Sequence, residues 1–217
     1  MRNYHYLLTL CAFFLGGVFS LKAEDNGKAD VVCFGDSITK RGYPQILHKL
    51  TGVKVINAGV AGHTSSQGLR RMEKDVLSYK PKVVVIAFAT NDIRVDNKKK
   101  FTSLEKYEKN LIQMIMQCAK IKAKVVICTV PPINAEPYYK RHEKKIYDDA
   151  GGLEALLAGR RATVKSVAQK YKIPVVDLYS LLPNDPKWLS SDGVHPSPAG
   201  NEIIAKHVAE VVRPLLK

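Results

Sequence analysis

Ser37 stands in the stretch FGDSIT (residues 34–39), directly after the apolar run VVC. A hydroxyl behind a glycine and an acid at a strand end fits three roles: a nucleophile, a phosphate cradle or a turn. Gly35 would let the chain turn sharply there and expose the serine. A serine hydroxyl attacks only when a base takes its proton, so the first role requires a histidine from elsewhere. His48 and His207 fall inside helical periods and read as surface or packing residues, and His142 lies in a run of charge. His195 differs: it sits in SDGVHPS, with Asp192 three residues before it, Gly193 to allow a bend and Pro196 to delay the next helix. An acid at that spacing can reach the ring Nδ1–H, fix the tautomer and stabilise the imidazolium that forms when Nε2 takes a proton. Ser37, His195 and Asp192 would then form a triad; the other reading of Asp192 is a cap on the terminal helix or turn.

Acyl transfer also needs donors for a developing oxyanion. Three candidates stand in loops: the Ser37 N–H, the Gly62 N–H in NAGVAGHTSS, and the Asn91 side-chain amide in ATND. Taken singly, Gly62 also reads as a turn glycine and Asn91 as a turn or cap residue.

These residues need a frame that brings residues 37 and 195 together. Four short, β-branched, apolar runs read as strands: DVVCF (30–34), VKVINA (53–58), KVVVIAF (82–88) and KVVICTV (124–130); PVVDLY (174–179) makes a fifth. Continuous apolar strands imply burial on both faces. Helical periods lie between and after them, over 43–51, 66–79, 103–122, a long piece within 139–171, and 197–216. This alternation predicts one domain with a doubly wound α/β sheet. Ligands in such sheets bind beyond the carboxyl ends of the strands, and the candidate residues all follow strands or precede the last helix.

The blocks FGDSIT, NAGVAGHTS, TND and DGVH, in that order and over about residues 30–200, resemble the four blocks of the SGNH (GDSL) esterases and lipases. The resemblance implies a three-layer α/β/α sandwich with a five-stranded parallel sheet of flavodoxin-like order. It implies Ser37 as nucleophile and first oxyanion donor, Gly62 and Asn91 as the other donors, His195 as base oriented by Asp192, and no metal or organic cofactor. The third block departs from the family's pattern, with Ala89 where glycine is common. The elbow G-x-S-x-G of other hydrolases does not occur: TSSQG has Thr64 at the first glycine position. The implied reaction is hydrolysis of a carboxylic ester, with a short acetyl ester on a carbohydrate ahead of a lysophospholipid or an acyl thioester. A non-catalytic glycan-binding relative is a further alternative. A phosphate-binding module is disfavoured by Asp36 beside the ligand and by the lack of a P-loop lysine.

The 217 residues are 46% hydrophobic and 25% charged, with a net charge of +14, a globular composition. Such a field favours anionic partners. The lysines are spread along the chain, however, and no zinc-finger, RNA-binding or basic-helix pattern points to nucleic acid. The two basic clusters, RVDNKKK (94–100) and YYKRHEKK (138–145), flank the expected mouth. They read as solvated loops, or alternatively as attractors of an acidic sugar or phospholipid headgroup. Residues 1–23 have signal-peptide anatomy, with Arg2 before an apolar stretch shorter than the roughly 20 residues of a membrane span. Export to the periplasm or beyond follows, leaving 24–217 as the hydrolase domain with no membrane span. Cys33, Cys118 and Cys128 read as small buried hydrophobes, although export would permit one bridge.

Overall fold

A computed structural model describes residues 27–182 and 186–217; the expected signal segment, 1–23, lies outside the described residues. Each apolar run holds a strand: β1 (Val31–Gly35), β2 (Val55–Gly59), β3 (Val83–Ala87), β4 (Lys124–Cys128) and β5 (Val175–Val176). They pair in parallel in the order β2-β1-β3-β4-β5, the flavodoxin-like arrangement. The order reverses beside β1. Gly35 is level with Gly59 of β2 and Ala87 of β3, so the loops after these three strands open on one edge of the sheet.

Two apolar layers cover the sheet, because side chains alternate along each strand. Val84 and Ile86 of β3 pack with Met72, Leu111, Met114 and Val164, from α3 (Ser65–Asp75), α4 (Leu104–Lys120) and α7 (Leu153–Tyr171). Val83 and Val85 join Leu47, Ile204 and Val208 of α2 (Tyr43–Thr51) and α8 (Pro198–Val212) on the other face. All of these side chains are fully buried, each stabilising by roughly 1.5–3 kcal/mol. The result is a three-layer α/β/α sandwich. Cys33, Cys118 and Cys128 are unbridged and buried, and burial pushes the Cys33 and Cys118 thiols up to about 12.

Two stretches, the fifth strand and the start of the first loop, differ from the sequence reading. PVVDLY keeps only two residues in the sheet, because Asp177 leaves it to accept hydrogen bonds from Thr129 Oγ1 and Ser180 Oγ, both at 2.9 Å. The long helical piece expected within 139–171 is α7, preceded by the short helices α5 (Ala135–Tyr139) and α6 (Lys144–Asp149), with Gly151 and Gly152 at φ 94° and 97° before α7. A four-residue helix, α1 (Ser37–Lys40), follows β1 directly, too short to leave a periodic signal. Among the described residues no helix is long and apolar enough to cross a membrane.

Candidate active site

Ser37 is the first residue of α1, so its N–H has no intrahelical partner. Asp36 caps that helix, its Oδ1 accepting from Ile38 N at 2.9 Å. Gly35 serves a purpose other than the one expected from sequence. Its backbone is not left-handed; a Cβ there would lie 2.1 Å from Thr39 Oγ1 and 2.4 Å from Ala87 O. The glycine thus permits close approach of β1, α1 and β3. Ser37 is not exposed as expected but lies on the floor of a cleft, 7% accessible.

Ser37 Oγ meets His195 Nε2 at 2.8 Å, and His195 Nδ1 meets Asp192 Oδ2 at 2.5 Å. A carboxylate can only accept, so Nδ1 carries the proton and Nε2 of the neutral ring is free to take one from serine. Asp192 Oδ1 accepts from the backbone N–H of Val194 and of His195, both at 2.9 Å. Burial alone would raise the Asp192 pKa; the bonds from the His195 N–H and ring and from Val194 outweigh it and hold the carboxyl at about 2. Asp192 therefore caps the turn with one oxygen and orients the ring with the other. The bend runs through Gly193 at φ 74°, as the turn required.

The other two donor candidates, Gly62 and Asn91, line the same cleft as Ser37. Gly62 adopts φ 73°, a left-handed conformation that a side chain would strain, and its carbonyl accepts from Lys100 Nζ. The following helix starts with a capping box, in which Thr64 and Gln67 satisfy each other's backbone N–H. Ser65 is tied to Asp92: its N–H lies 3.0 Å from both carboxylate oxygens and its Oγ donates to Oδ1 at 2.5 Å. This bond locks the second and third blocks together. Asn91 Nδ2 donates to His63 O at 3.1 Å and makes a longer 3.5 Å contact with Asp36 Oδ2, which leaves one amide hydrogen weakly held. Ala89 stands at φ 156° with its methyl buried, and Asn91 reaches the cleft in spite of the missing glycine. Burial, with Asp92 nearby, pushes Asp36 up to about 7 against its bond from Ile38.

Ser37, Gly62, Asn91 and His195 line one cleft of about 190 Å3; Asp192 lies behind His195. The cleft also takes in residues of the two basic clusters expected to flank the mouth, and Arg41, which the sequence reading did not single out. Arg41, Arg94, Arg141, Tyr138 and His142 form much of its wall. His142 is not on a solvated loop: its Nδ1 meets Asp96 Oδ2 at 2.9 Å and its ring stacks on Tyr138 with centroids 4.2 Å apart. Asp96 also takes a two-point contact from Arg94 (2.7 and 3.0 Å) and the Tyr147 hydroxyl at 2.8 Å. Both basic clusters thus contribute to an ordered wall, which only their position after strands three and four could have signalled. His63 points away from Ser37's base position, its Nδ1 accepting from Arg71 Nε at 3.2 Å. Among the described residues no group of three His, Cys, Asp or Glu side chains could hold a metal ion.

The model of the GDSL-like lipase/acylhydrolase family matches residues 33–203. An acetylxylan esterase of Xylanibacter ruminicola is 31% identical over 91% of this chain, which spans 45% of that relative's length. An uncharacterized lipoprotein of Bacillus subtilis is 27% identical over 80% of this chain and 78% of its own. The crystal structure of a lipase/acylhydrolase from Enterococcus faecalis superposes with a TM-score of 0.73 at 27% identity, covering 86% of this chain and 96% of the other.

Proposed function

The chain belongs to the GDSL-like lipase/acylhydrolase family, and on that premise we propose that it is a serine esterase that removes a short acyl group, most simply acetyl, from a carbohydrate. The observation that carries the reading is the unbroken hydrogen-bond chain from Ser37 through His195 to Asp192. His195 Nε2 takes the Ser37 proton as Oγ attacks the ester carbonyl. The oxyanion is held by the N–H groups of Ser37 and Gly62 and by the Asn91 amide, and Asp192 stabilises the imidazolium. His195 then gives its proton to the alcohol oxygen as the C–O bond breaks. Water attacks the acyl-enzyme with His195 again as base, releasing the acid and restoring Ser37.

The cleft favours a small acyl group. Its volume of about 190 Å3 is below the roughly 300 Å3 at which drug-sized ligand pockets begin, and near Gly62 and His195 its apolar lining is Ala61 and Val194. A fatty acyl chain would find little to pack against. The acetylxylan esterase relative supports acetyl on a sugar. The signal-like segment 1–23 supports export, with residues 24–217 as the hydrolase domain. Replacing Ser37→Ala should lower kcat on 4-nitrophenyl acetate by at least about 10⁴-fold with little change in KM. Turnover like that of the unaltered protein would remove Ser37 from the role.

A further inference from the structure

Three arginines from three separate segments converge on the cleft: Arg41 after α1, Arg94 after β3 and Arg141 after α5. Among the described residues no aspartate or glutamate is part of the same lining. The acids that meet these cations stand behind them. Asp96 holds Arg94 in a two-point contact, and Asp192, 3.8 Å from Arg41 Nη1, already faces His195. Among the described residues the Arg141 guanidinium donates only to the neutral Asp192 carbonyl. The cleft therefore keeps an excess of positive charge, on guanidinium groups whose orientation is partly set before any ligand arrives. Guanidinium forks of this kind match carboxylate oxygens in two-point contacts.

We propose that these three arginines form a subsite for an anion on the alcohol portion of the ester, so that the preferred substrate is an O-acetylated acidic sugar bearing a carboxylate. The inference rests on the esterase reading above and adds to it the charge of the leaving group. The anion belongs on the alcohol side: the donors beside Ser37 are taken by the carbonyl oxygen, and the small acyl group has no room for a further substituent. A compact sugar fits the cleft better than a lysophospholipid, whose headgroup would offer the same kind of charge but whose acyl tail would meet little apolar surface.

The test compares an O-acetylated methyl glucuronoside with its carboxamide, which has the same shape and no charge. At low salt kcat/KM should favour the carboxylate by tenfold or more, and the ratio should shrink as salt screens the half-exposed Arg41. In the protein carrying both Arg41→Gln and Arg141→Gln the ratio should fall to within about twofold of unity. Arg41→Gln alone, an exposed position, should give an intermediate ratio. Equal rates on the two sugars, a ratio that survives in the double variant, or a lysophospholipid turned over faster than either sugar would overturn the subsite. If the carboxamide is hydrolysed as fast as the carboxylate, only this inference fails. If no ester is hydrolysed and a fluorophosphonate does not label Ser37, the esterase reading fails and the subsite with it.

Discussion

Two histidines, each backed by an aspartate, line the same cleft and differ in what surrounds them. His195 with Asp192 and His142 with Asp96 make the same Nδ1-to-carboxylate contact, at 2.5 and 2.9 Å. The two imidazoles are similarly buried, 13% and 10% accessible. His195, however, has Ser37 at its Nε2, whereas the other ring stacks on Tyr138, and among the described residues no side chain bonds its Nε2. The carboxylates diverge as well. Asp192 is satisfied by its own turn and by the ring; Asp96 binds Arg94 twice, His142 and Tyr147, tying together segments up to 51 residues apart. An imidazole beside a carboxylate becomes a base only where a hydroxyl is presented to its other nitrogen. Without one, the same pair is a structural tie.

The largest effect should separate the two rings. His195→Ala is expected to lower kcat on 4-nitrophenyl acetate by about 10⁴-fold or more, and His142→Ala by less than about tenfold. Comparable losses would mean that His142 takes part in proton transfer and that the contrast drawn from Nε2 is wrong.

The aspartates should separate in the opposite sense when stability is read. Asp192→Asn should cost about 10³ to 10⁴ in kcat, because an amide facing Nδ1 favours the wrong tautomer. Asp96→Asn puts an amide nitrogen among the donors of Arg94, His142 and Tyr147 and leaves a partly buried guanidinium unpaired. It should lower unfolding free energy by about 2–3 kcal/mol, measured as a shift in the urea midpoint. A larger stability loss for Asp192→Asn than for Asp96→Asn would reverse the assignment.

This difference also explains what could be read from sequence. His195 and Asp192 were legible because they are three residues apart in a glycine-containing bend, where contact is nearly forced by local geometry. The strands were legible because burial on both faces leaves uninterrupted β-branched runs, as in KVVVIAF. Asp96 and His142 are 46 residues apart, and only the packing of the loop after β3 against α5 and α6 brings them together. Their basic neighbours carried the ordinary signature of a solvated surface. The end of β5 was illegible for a related reason: Asp177 leaves the sheet for Thr129, 48 residues away, a partner that the apolar pattern of PVVDLY does not announce.

The smallest expected effect concerns pH. Burial, with Arg94 and Arg141 nearby, lowers the His142 pKa from its usual value, and Asp96 opposes this only in part. The unfolded chain, with a histidine pKa near 6.5, then binds the proton first on acidification. The stability contributed by neutral His142 is full above about pH 6.5 and falls below it until the folded ring also protonates. His63 is lowered chiefly by burial and by Arg71 and contributes with the same sign. Asp36 works the other way: raised to about 7, it favours the folded state at acid pH and loses that contribution as pH rises from about 4 to 7. These contributions oppose one another between pH 5 and 7, so the informative quantity is a difference. Between pH 7 and 5 the Tm of His142→Gln should fall less steeply on acidification than that of the unaltered protein. Identical slopes would show that His142 titrates as an exposed histidine does, and that the wall built on Asp96 opens in solution.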